Sequence, residues 1–145
     1  MKRSQRIGPA RELAARQERK AVQDLGHQLE RLKQASQRLE ELLNWEREYA
    51  TRQQQGVATI SQLHSHRQFM LELGRAIEAQ RVLTQEAEQS VASARASWQS
   101  RQAQHAAVSR VIERCEATER RADDRREQQT LDEFHLARWT HERKP

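Results

Sequence analysis

Glycine, proline, cysteine and aromatic residues are all scarce in this chain, and each scarcity excludes something. With 4 Gly and 2 Pro in 145 residues, few points exist at which the backbone can be forced to turn. The single cysteine, Cys115, has no partner for an internal disulfide, so a reducing compartment suits it. No run of eighteen apolar residues is present to span a bilayer, and Met1 to Glu12 lacks the apolar stretch of a signal peptide. The expectation is a cytoplasmic chain whose membrane association, if any, is peripheral. Apolar residues are also short: 35% of the chain is hydrophobic against 32% charged, and mean hydropathy is −1.10. Such a composition cannot fill a compact core. It suits either disorder or a long helix pair whose core is one seam.

What is abundant decides between those two. Gln, Glu, Arg, Ala and Leu dominate, and all are good helix formers. Gly8-Pro9 is the first punctuation, and proline is tolerated in a first turn because its missing N–H has no helical partner there. From about Ala10 only Gly26 interrupts the pattern before Gly56. This predicts a single domain over 1–145: helix 1 over about 10–55, a bend over about 56–62, and helix 2 over about 63–140.

Heptad stepping supplies the seams. From Val22 it gives Leu25, Leu29, Leu32, Ser36, Leu39, Leu43 and Glu46. From Met70 it gives Leu73, Ile77, Gln80, Thr84, Ala87, Val91, Ala94, Trp98, Arg101, His105, Val108, Ile112 and Cys115. Laid antiparallel, Leu25 meets Ala94, Leu32 meets Ala87 and Leu43 meets Ile77. The centre of that register falls near residue 60, just after Gly56. Large residues face small ones in several layers, as interdigitation requires. The fold class expected is therefore all-α, a long two-helix antiparallel coiled-coil hairpin. In this register Met1 lies opposite about residue 119, so 119–145 overhangs as a single C-terminal helix. Phe134 and Trp139 on that overhang suggest a partner or dimerisation, or belong to a frayed tail that folds back on the hairpin.

Beside the bend lies an apolar patch. With Leu43 in the seam, Leu42 and Tyr49 fall on its flank, Phe69 and Ala76 take the equivalent flank of helix 2, and Trp45 lies one turn from both Leu42 and Tyr49. Tyr49 should neighbour Phe69, and Leu42 should neighbour Ala76. An aromatic cluster on a polar surface makes a docking spot; a locally widened seam capping the hairpin accounts for the same residues.

Little else points to chemistry. No glycine-rich phosphate loop is present. His64 and His66, two apart, fall on different helix faces with no acidic or thiol cluster beside them, so no metal is expected. Cys115 falls on the seam as a small core residue. Asp123-Asp124 and Asp132-Glu133 are acidic pairs without a cleft. Neither an enzyme, a cofactor nor a small-molecule substrate is expected. Net charge is +5, with Lys2, Arg3, Arg6, Arg11, Arg16, Arg19 and Lys20 outweighing Glu12 and Glu18 at the start. Such a stretch attracts nucleic acid, acidic lipid or an acidic protein surface, or is a solvated helix face.

Four features together resemble the FliJ family of flagellar type III export proteins. They are the length, the Leu42, Trp45, Tyr49 series ending a long helix, Phe69 to Ala76 opening the next, and Arg125-Arg126-Glu127-Gln128 followed by Leu131-Asp132-Glu133. The resemblance covers nearly the whole chain. It implies a fold similar to the stalk (gamma) subunit of rotary ATPases and a non-enzymatic part of the export apparatus. It further implies binding of the hexameric flagellar export ATPase through the open, terminal end, with Arg125, Arg126, Gln128, Leu131 and Phe134. Leu42, Trp45, Tyr49, Phe69, Leu73 and Ala76 would contact the membrane-embedded export gate protein, and the chain would escort empty export chaperones. Arg38 and Gln80 depart from the glutamine and histidine expected by the same resemblance. Virulence secretion systems have stalk proteins of the same shape.

A second class remains from the residues alone, a basic coiled-coil nucleic-acid-binding protein. Leu25, Leu32 and Leu39 recur every seven residues after a basic segment, as in a leucine zipper. Glu12 and Glu18 interrupt that segment. A third reading is a structural coiled coil that pairs in parallel with no bend at residue 60.

Overall fold

A computed structural model of the chain describes residues 1–54, 56 and 59–143. Two helices account for nearly all of them: α1, Arg3–Gln54, and α2, Ile60–Glu142. They pack against each other as a helical hairpin, with no strand among the described residues. Part of the expected 56–62 bend, at residues 57 and 58, lies outside the described residues, as does residue 55 before it.

Both helices begin earlier than the sequence reading placed them. Helix α2 starts at Ile60 because Thr59 and Gln62 form a capping box. The Gln62 amide donates to Thr59 Oγ1 (3.2 Å) and the Thr59 amide donates to Gln62 Oε1 (3.0 Å). Helix α1 starts at Arg3 and runs through Pro9. Proline leaves the Gln5 carbonyl without its helical donor, a position that ordinarily costs about 3 kcal/mol. The turn ahead of it is held from outside. The Ser4 amide and hydroxyl both donate to the Glu119 carboxylate (3.0 and 2.6 Å), and Lys2 Nζ lies 2.9 Å from Asp123.

Packing divides the chain into two units, Met1–Glu18 with Arg101–Pro145, and Arg19–Ser100. In the 19–100 unit the core cluster is Leu42, Leu73 and Ile77, packed about by Leu39, Leu43 and Met70. From there small residues carry the seam: Thr84, Ala87, Val91 and Ala94 on α2 are buried, and Ala21 on α1. The Gln80 amide nitrogen donates to the Ala35 carbonyl at 3.1 Å. Each fully buried aliphatic side chain contributes roughly 1.5–3 kcal/mol.

The α2 seam is the one expected from heptad stepping: every position from Met70 to Cys115 in that series is buried or half-buried. The α1 seam is corrected by one residue in every other step. Leu25, Leu32, Leu39 and Glu46 are on it, but the positions between are Ala21, Gln28, Ala35 and Leu42. Val22 and Leu29 stand 48% and 42% exposed. The ambiguity is geometrical. A series through Leu25, Leu32 and Leu39 continues equally by either three-four alternation, and stepping to the larger aliphatics chose the outer ridge. The α2 residues facing it are small or polar, so the helices approach on alanines instead.

In the unit of 1–18 and 101–145 the most buried side chain is Ile112, at 1% exposure, with Ala14 also buried. Ile7, Val108 and Cys115 are half-buried beside them, and polar pairs fill the rest of the seam. Arg101 donates to Gln17 Oε1 (3.0 Å), and His105 Nδ1 lies 2.5 Å from Glu18 Oε2. Ser4, rather than Met1, meets Glu119, and Lys2 meets Asp123, so α1 covers α2 about one turn further than the expected register allowed. Every described residue from Asp124 to Arg143 is exposed.

Candidate functional site: two uncovered apolar surfaces

The sequence pointed to two surfaces, and the structure sorts their members differently. Near the end of α1, Tyr49 stacks on His66 (centroids 4.8 Å apart, 6° between planes) and tilts against Phe69 (4.4 Å). The Tyr49–Phe69 neighbourhood expected from sequence is present. Leu42 and Leu73 are not surface residues, however. They are core, 5% and 6% exposed: Leu73 lies on the α2 seam expected from heptad stepping, and Leu42 joins it because the α1 seam runs through Leu42 and Tyr49 rather than Leu43. What a partner could touch here is Trp45 (48% exposed), the edge of Phe69 and Ala76.

Trp45 carries an attendant that sequence reasoning missed. The Arg38 guanidinium lies 5.1 Å from its ring centroid and pairs with Glu41 at 3.1 Å. The signal was present in the spacing: Arg38, Glu41 and Trp45 stand at i, i+3 and i+7, one helix face. A guanidinium over an indole adds cation–π attraction and keeps the ring partly covered. Gln80 is likewise engaged, with the Ala35 carbonyl, so both departures from the resembled pattern have structural partners.

The second surface lies on α2 beyond its last contacts with α1. Leu131, Phe134, Leu136 and Trp139 are 50–63% exposed, and Arg125, Arg126 and Gln128 are exposed beside them. Arg126 reaches Asp123 at 4.0 Å, Gln128 donates to Asp132 at 3.2 Å, and Arg143 lies 3.9 Å over the Trp139 ring. Four large apolar side chains on one unaccompanied helix exceed the scatter normal for a surface.

The charges that close the start of α1 are mutually tuned. Hydrogen bonds from Ser4 hold the Glu119 carboxyl below its ordinary pKa. The Lys2 ammonium does the same for Asp123 and is itself raised by that partner. Beside them lies an open groove lined by Arg3, Val111, Arg114, Cys115, Thr118 and Glu119. Among the described residues no cluster of His, Cys, Asp and Glu could hold a metal ion, and no helix is long and apolar enough to cross a membrane.

The geometry defines an antiparallel two-helix hairpin protein with exposed aromatic residues at two uncovered surfaces, Trp45 and Phe69 on one and Phe134 and Trp139 on the other. The family description "Flagellar FliJ protein" matches residues 4–144, so the chain belongs to the FliJ family of flagellar proteins and is a flagellar type III export component. No curated protein matches it.

Proposed function

We propose that this protein is a non-enzymatic stalk and adaptor of flagellar type III export. It binds and activates the hexameric export ATPase through the uncovered stretch of α2. It links that ATPase to the export gate through Trp45, Phe69 and Ala76, and it escorts empty export chaperones. It works in the cytoplasm, peripherally associated with the inner face of the membrane. The observation that carries this reading is the exposure of Leu131, Phe134, Leu136 and Trp139 on a helix with nothing packed over it. Isolated helices are marginal in water, and large apolar side chains gain most when a partner removes them from it. Family membership supplies the setting. Leu42 and Leu73 act in this reading as the floor that fixes the gate surface, not as contacts.

The test is addition of the purified protein to its cognate export ATPase. Stimulated hydrolysis is expected, reduced at least tenfold in apparent affinity by Phe134→Ala with Trp139→Ala, since buried aromatic anchors carry much of an interface's energy. Absence of both binding and stimulation by the unaltered protein would remove the mechanism.

A further inference from the structure

We infer that the outward face of α2 between Arg110 and Arg125, with the groove beside it, is a docking surface for an acidic amphipathic helix of a partner protein. Arg110, Arg114, Arg121 and Arg125 stand at i, i+4, i+11 and i+15, which places all four on one helical face over roughly 23 Å. All are exposed. Of the acidic residues between them, Glu113 and Asp124 stand three residues from Arg110 and Arg121 without pairing with them, and Glu119 and Asp123 are already engaged with Ser4 and Lys2. Neither these four arginines nor Arg3 lies within 4.0 Å of a carboxylate among the described residues.

A mixed-sign helix surface has an obvious way to avoid this, which is to set glutamates four residues from arginines. Here Arg110/Arg114 and Arg121/Arg125 are like-charged neighbours that weaken the helix they sit on. An acidic occupant relieves that repulsion. The groove decides which occupant. Arg3 and Arg114 rim it, and Val111, 39% exposed, lies within it. A nucleic-acid backbone or a lipid headgroup layer would use the arginines and leave the apolar wall unused. A helix with carboxylates on one face and a leucine or isoleucine at its edge uses both. Any export component could supply that helix; the surface shares Arg125 with the ATPase reading above, and Arg110, Arg114, Arg121 and Val111 lie outside it.

The experiment is fluorescence anisotropy with the full chain and a synthetic helical peptide of about sixteen residues, enough to span the four arginines. The peptide bears glutamates at i, i+4 spacing and leucine at every seventh position; a scrambled peptide, a DNA duplex and phosphatidylserine vesicles are the comparison probes. Saturable binding is expected, weakened about tenfold by Arg114→Glu or Arg121→Glu, because reversing a charge adds repulsion to lost attraction. Val111→Asp should weaken it as well, while Arg75→Glu, outside this unit, should not, and circular dichroism should show every variant helical. Equal binding of the scrambled peptide, equal loss with Arg75→Glu, or no effect of Val111→Asp would each overturn the inference. So would tighter binding of the duplex or the vesicles.

Discussion

The two packing units use the same heptad geometry with different chemistry. In 19–100 the seam closes on aliphatic side chains, Leu42, Leu73 and Ile77, and then on alanines. In 1–18 with 101–145 one deeply buried residue, Ile112, is flanked by Arg101–Gln17, His105–Glu18, Ser4–Glu119 and Lys2–Asp123. Apolar burial is non-directional and does not titrate; exposed charged contacts are directional, screened by salt and titratable. The difference teaches that one unit obtains stability from its seam, while the other obtains register. It also explains why α1 can begin at Arg3 despite Pro9, since charged hydrogen bonds fix the turn that proline would loosen.

The largest effect that would break this contrast is loss of an apolar core residue. Leu73→Ala should destabilise the protein by about 2–5 kcal/mol, as cavity-forming substitutions do, and shift the urea midpoint accordingly. Ile112→Ala should cost a similar amount, since it is the one comparable residue of the polar unit. If Ile112→Ala proved silent, the polar contacts would be holding that unit by themselves.

Next in size is the acid response. Glu119 and Asp123 are depressed below their ordinary 4.5 and 3.8, so their contribution is complete above those values and is lost as pH falls through and below them. Lys2 is raised above 10.5, so its contribution is complete below that value and is lost only as pH rises past it. Amide exchange at residues 3–8, corrected for the intrinsic pH dependence of exchange, should therefore accelerate below about pH 4, with residues 70–98 unaffected over the same range. Uniform acceleration in both units would erase the distinction. Ser4→Ala should produce the same local loosening at neutral pH by removing the hydroxyl donor to Glu119.

The smallest expected change in stability comes from the surface. Trp45→Ala should alter the unfolding free energy by less than about 1 kcal/mol, since the ring is half exposed and meets one guanidinium. Its effect should appear instead in binding to the purified cytoplasmic part of the export gate. Leu42→Ala should reverse that pattern, with a large stability loss.

Much of this contrast was legible in the residues. The hairpin and the α2 seam follow from heptad spacing, because one three-four series from Met70 runs through every buried position of α2. The α1 seam was ambiguous, since Leu25, Leu32 and Leu39 belong to two series. The larger side chains at Val22 and Leu29 marked the exposed one. That choice sets Leu42 on the flank, whereas Leu73 lies on the α2 seam in either series and joins the gate surface only through the family resemblance. The capping box at Thr59 and Gln62 stood in the sequence as a threonine three residues before a glutamine. The Ser4–Glu119 and Lys2–Asp123 contacts had no such signal, because polar pairs far apart in sequence follow only from a register already fixed by the apolar layers. The exposed apolar series from Leu131 to Trp139 was legible from the absence of any α1 residues left to cover it.

The central claim is that the uncovered stretch of α2 is where this protein meets the export ATPase, and hydrogen exchange with and without that ATPase tests it most directly. Residues 124–143 should gain protection on binding, while 70–98, already protected by the apolar seam, should not change. Protection gained at 70–98 with none at 124–143 would contradict the account and move the contact to the other unit.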